Sequence, residues 1–60
     1  MTETKHLKEM AEKIQLLRKT ATELKQTSDG IETIDRNIDR ILASVKMLEL
    51  NISDVAELQD

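Results

Sequence analysis

Between Ile31 and Val55 the chain places a branched apolar residue at every third or fourth position without a break. The residues are Ile31, Ile34, Ile38, Ile41, Val45, Leu48, Ile52 and Val55, spaced 3, 4, 3, 4, 3, 4 and 3. A strand would alternate with period two, whereas this pattern follows the helical period and writes a heptad. Ile31, Ile38, Val45 and Ile52 fall at a, and Ile34, Ile41, Leu48 and Val55 fall at d. A helix with such a seam needs another helix to cover it. The seam therefore constrains the fold class to all-α and the mode of action to helix association.

Composition sharpens this expectation. Proline is absent and glycine occurs once in 60 residues, so little interrupts a helix. Phe, Tyr and Trp are absent too, which removes the largest core-fillers. Cysteine is also absent, so neither disulfides nor thiolate metal sites are available. A chain this short buries a small fraction of its surface, and ordering its backbone costs about 1–2 kcal/mol per residue. Association with itself, as a homo-oligomer, or with a helical protein partner is the expected source of further stability.

An earlier and weaker stripe runs through Leu7, Met10, Ile14, Leu17, Ala21 and Leu24. Between the stripes stand Thr27, Ser28, Asp29 and Gly30, four successive poor helix formers that include the single glycine. Asp29 with Glu32 reads as a capping box for a second helix beginning near residue 30. The expected organisation is one helical module over 1–60. It has a helix over about 4–27, a turn over about 27–30 and a helix over about 30–58.

Charge supports a fold-back. Residues 1–30 carry six basic and five acidic side chains, and residues 31–60 carry three basic and seven acidic ones. A weakly basic half can lie against an acidic half in an antiparallel helical hairpin. Such a hairpin is expected to assemble into a coiled coil or four-helix bundle. One observation favours the alternative of a continuous helix about 80 Å long in a parallel trimeric or tetrameric coiled coil. Met10, Leu17, Leu24, Ile31, Ile38, Val45 and Ile52 are all seven apart, straight through the expected turn. Ile or Val occupies d in three of the four heptads after residue 30, which disfavours a parallel two-stranded zipper.

The expected interface comprises Ile31, Ile34, Ile38, Ile41, Val45, Leu48, Ile52 and Val55, joined by Leu7, Met10, Ile14, Leu17 and Leu24. Leu42, Met47 and Leu50 lie outside the a/d seam and suggest a second apolar face, as a bundle or a partner groove requires.

Chemistry finds little foothold in these residue types. His6 is the single histidine, and one imidazole with neighbouring carboxylates falls short of a metal site. The serines have no histidine partner at a plausible position, and no glycine-rich phosphate loop occurs. No enzymatic activity, cofactor or metal is expected. The net charge is −3, and the lysines of the first half alternate with glutamates, so no basic stripe marks a nucleic-acid surface. No apolar run approaches the roughly 18 residues of a membrane span, and membrane insertion is not expected. The first residues lack a signal-peptide apolar region, so the expected location is cytoplasmic.

The stretch Asn37-Ile38-Asp39-Arg40-Ile41 resembles pieces of SNARE-type helices. That resemblance implies a helix acting in a heteromeric, parallel four-helix bundle. The central Gln or Arg layer of that family has no counterpart here, since the polar position before Ile31 is Thr27. Glu49-Leu50-Asn51-Ile52-Ser53-Asp54-Val55 is similar to the heat-shock-factor-binding family of heptad proteins. The leading expectation is a non-enzymatic oligomerisation and protein–protein interaction module, serving as adaptor, assembly subunit or regulator. A SNARE-like helix and a nucleic-acid-associated regulator are the alternatives.

Overall fold

A computed structural model describes residues 2–58, including the side chains of 6–57. Two helices, α1 (Thr2–Thr27) and α2 (Glu32–Leu58), pack antiparallel against each other. The described residues contain no strand. The backbone spans 44 × 15 × 10 Å, so the chain is a flat hairpin, not the single long rod of the alternative expectation.

The reversal is made by Asp29 and Gly30, whose φ angles are +54° and +81°. Ser28 N donates to the Leu24 carbonyl (2.9 Å) and completes the last turn of α1. Ile31 N then donates to the Ser28 carbonyl (3.3 Å) across the two left-handed residues. Positive φ at both central positions is the mark of a type I′ turn, for which Asp-Gly is a favoured pair. Asp29 therefore does not cap α2, because an N-cap needs extended backbone. Ile31 fills that place, since its carbonyl accepts from Asp35 N (2.9 Å). Arg36 donates to Glu32 (2.6 Å) in the first turn of α2.

In α1 the stripe is lettered afresh from its own spacing, with Leu7, Ile14, Ala21 and Ser28 at a, and Met10, Leu17 and Leu24 at d. Both helices then turn the same two positions inward. From α1 come Ile14, Ala21 and Ser28, buried, and Leu7, Ala11 and Arg18, half-buried. From α2 come Ile38 and Val45, each 2% exposed, and Asp35, Leu42, Glu49 and Ile52, half-buried. These are a and e positions in both helices. Toward the turn, the buried a positions of α1 are the small Ala21 and Ser28. Ser28 Oγ lies 2.9 Å from the Lys25 carbonyl and 2.5 Å from Asp35 Oδ1, so the buried hydroxyl is satisfied by both helices.

The seven-residue spacing that suggested a continuous helix has a different origin. It joins the d stripe of α1 to the a stripe of α2, and those stripes have different environments. Ile31, where they meet, lies in the turn.

Candidate interaction surface

The a stripe of each helix has two flanks, and they differ in chemistry. On the e side the helices are tied by charge. Arg18 Nε donates to Glu49 Oε2 (2.8 Å) and Arg18 Nη2 to Glu49 Oε1 (2.7 Å), a two-pronged pairing that fixes both planar groups. Lys25 Nζ donates to Asp39 Oδ1 (2.5 Å). In each pair the cation is on α1 and the anion on α2. The hydrogen bonds from Arg18 hold the Glu49 carboxyl below the usual glutamate range, against the opposing effect of partial burial. Glu49 raises Arg18 in return, chiefly through the same bonds. Asp39 raises Lys25 by accepting its hydrogen bond, with charge attraction adding to it.

The d side is different. Met10, Leu17 and Leu24 from α1, Ile31 from the turn, and Ile34, Ile41, Leu48 and Val55 from α2 remain 39–51% exposed. Two antiparallel helices that both bury a and e carry their d positions on the same side of the hairpin, because reversing a helix also reverses the sense of its wheel. The Arg18–Glu49 and Lys25–Asp39 contacts place these residues within a turn of one another across the hairpin, Met10 near Val55, Leu17 near Leu48 and Leu24 near Ile41. The result is one apolar face built from both helices.

The border of that face, at the g positions, is polar and almost uncharged. It consists of His6, Lys13, Thr20 and Thr27 on α1 and Asn37, Ser44 and Asn51 on α2. Thr27 Oγ1 already donates to the Glu23 carbonyl (2.8 Å). Along the α1 edge runs an open depression of about 500 Å³, lined by Lys13, Leu16, Leu17 and Thr20. A second shallow groove of about 250 Å³ lies between the helices against Ala11, Ile14, Gln15, Glu49 and Ile52.

The residues expected to form one interface thus divide. Ile14, Ile38 and Val45 are buried inside the hairpin, with Leu7 and Ile52 half-buried. Met10, Leu17, Leu24, Ile31, Ile34, Ile41, Leu48 and Val55 form the outer face. The three residues expected to share a second face also separate. Leu42, at e, is half-buried beside the helix–helix seam, whereas Met47 and Leu50 are exposed on the outer side of α2.

The pairing of Arg18 with Glu49 across the e positions escaped sequence reasoning, and of the g border only Asn37 and Asn51 were visible as residues flanking the seam. The charge difference between the halves was the available signal for the first. A run of Thr, Asn and Ser recurring every seven residues was the signal for the second.

Among the described residues no group of three metal-ligating side chains comes together, and no helix is long and apolar enough to cross a membrane. A cap from Thr2 or Thr4 and an i,i+4 pair of Lys5 with Glu9, both permitted by the sequence, involve side chains outside the described ones. Comparison with protein-family models, with curated proteins and with solved structures gives no match to this chain.

Proposed function

We propose that this chain is a non-enzymatic protein–protein association module whose working part is the apolar d face. Its role is that of an adaptor, assembly subunit or regulator that acts by occupying a helical surface. The observation that carries this reading is the half-exposure of eight apolar side chains, drawn from both helices and the turn, on one side of the hairpin. The core is small by comparison, with Ile14, Ala21, Ile38 and Val45 as its buried apolar residues.

Magnitudes favour covering the face. Full burial of a Leu or Ile side chain is worth about 1.5–3 kcal/mol, so covering the remaining half of eight such groups returns on the order of 6–12 kcal/mol per hairpin. Two faces brought together exceed the lower part of the about 4–15 kcal/mol that association costs.

The test is Ile41→Asp, which sets a charge in the middle of the face without touching the buried seam. The expected result is a lower mass in sedimentation and a lower melting temperature than the unmodified chain at the same concentration. Identical mass and melting for the two proteins would refute the assignment.

A further inference from the structure

We propose that the hairpin exchanges its helices with a second copy of this chain. In the exchanged form the turn straightens, α1 and α2 join into one helix over residues 2–58, and two such helices pair antiparallel. Each α1 then packs on α2 of the other copy through the contacts it makes with its own α2 in the hairpin. The inward face is itself the interaction surface, and the d face stays outside the contact.

The first observation is the phase of the two helices. Leu7, Ile14, Ala21 and Ser28 are inward a positions of α1, and Asp35, Leu42 and Glu49 are inward e positions of α2. All are buried or half-buried, and they stand seven apart straight through the turn. A hairpin does not require this, because its turn lets each helix take any phase. A continuous helix does require it, since both inward faces must then lie on one side. With the e positions of α1 and the a positions of α2 added, the stripe advances by fours and threes, except for two successive threes at Ser28. That is a stammer, which a coiled coil absorbs by local overwinding.

The second observation is symmetry. Arg18 with Glu49, Lys25 with Asp39 and Ser28 with Asp35 are each centred within two residues of Glu32. A two-fold axis crossing two long antiparallel helices at that point brings the same residues together between copies. The apolar seam of Ile14, Ala21, Ile38 and Val45 is kept with them. Ile31, 51% exposed at the turn, then falls between Ser28 and Asp35 on the inward stripe, beside the axis.

The third observation is how little the turn holds. One backbone hydrogen bond, from Ile31 N to the Ser28 carbonyl (3.3 Å), spans its two left-handed residues. Asp29 has φ +54°, a conformation that is costly for a residue with a Cβ and is relieved in a right-handed helix. A Cβ at Gly30 would meet nothing within 4 Å, so no side chain packs over the hinge. A short hinge under strain, between elements whose contacts can be remade with a second copy, favours exchange.

The experiment places spin labels on the full chain at Glu12→Cys and Ser53→Cys, two exposed positions on opposite helices; the chain has no other cysteine. Labelled chain is mixed with excess unlabelled chain, melted and cooled at rising concentration, so that distances within one chain are read. A closed hairpin gives less than about 30 Å, because its helices lie about 8–10 Å apart. The exchanged form gives about 60 Å, the length of helix between the two sites. The expected result is a long-distance fraction that rises with concentration, in a species of twice the monomer mass of 6.9 kDa. Asp29→Ala with Gly30→Ala disfavours the left-handed turn, and is expected to lower the concentration of half-exchange at least tenfold.

A short distance alone at every concentration, with the native turn, overturns the exchange. A double variant that leaves the half-exchange concentration unchanged overturns the turn as its hinge. Association of closed hairpins through the d face keeps the distance short, so the two proposals fail separately. Ile41→Asp is expected to leave the long-distance fraction unchanged, and its loss there would mean that the inward face is not what the copies share.

Discussion

Ile38 and Ile41 stand one helical turn apart on α2, with the same side chain and the same heptad pattern around them. Ile38 is 2% exposed and Ile41 is 46% exposed. The difference lies in what flanks each stripe. Next to Ile38 and Val45 stand the half-buried e residues Asp35, Leu42 and Glu49, of which Asp35 meets Ser28 and Glu49 meets Arg18 of α1. Next to Ile41 and Leu48 stand Asn37, Ser44 and Asn51, which meet nothing in the hairpin with which they form a side-chain hydrogen bond. An apolar stripe with matched charges beside it closes on its own chain. The apolar stripe with small neutral polar residues beside it stays half-exposed on the hairpin.

The comparison can be broken most severely at Ile38. Ile38→Ala is expected to cost about 2–4 kcal/mol of unfolding free energy, since it empties a filled site between the helices. Denaturant melts followed by circular dichroism check this at several protein concentrations, and the loss should be present at all of them. Ile41→Ala is expected to cost about 1–2 kcal/mol. If the d face is covered by association, as proposed, its effect should grow with protein concentration. Equal and concentration-independent losses for the two would show that both stripes serve the hairpin alone.

The turn provides a smaller effect. Gly30→Ala meets no steric neighbour within 4 Å, but it must hold φ near +81°. The expected cost is about 1 kcal/mol from the left-handed backbone alone. A melting temperature equal to that of the unmodified chain would mean that the turn relaxes freely.

The charged flank predicts a pH dependence. The Glu49 carboxyl is held below its usual range in the folded hairpin, so the folded state binds a proton there less readily than the unfolded chain does. Its contribution is therefore complete above the ordinary glutamate range and is lost as the pH falls through and below it. Glu49→Gln is expected to flatten this acid limb in thermal melts taken from neutral pH downwards, and an unchanged limb would assign it to other carboxylates. The smallest effect is expected at Leu50→Gln on the outer side of α2, within about 0.5 kcal/mol of the unmodified stability.

Much of this was legible in the residues. The absence of proline, the heptads and the cluster at Thr27–Gly30 specify two helices and a reversal through local propensity, which acts within a few residues. The opposite charge bias of the two halves anticipated the pairing of Arg18 and Lys25 with Glu49 and Asp39. The turn was less legible in detail. Asp29 satisfies the rule for an N-cap as well as that for a left-handed turn position, and only the path of the chain beyond Gly30 selects between them.

Sequence alone thus determined that this chain is helical, where it turns, and that it carries more apolar surface than one helix can hide. What it could not determine is which two of the three positions a, d and e face inward. All three lie within one broad arc of the helix, so periodicity permits either choice. Tertiary packing decided it. A short turn folds α2 back so that Ala21 and Ser28 are buried, and Arg18 reaches Glu49 only if the e positions face each other. The d residues of both helices are thereby turned to the same outer side.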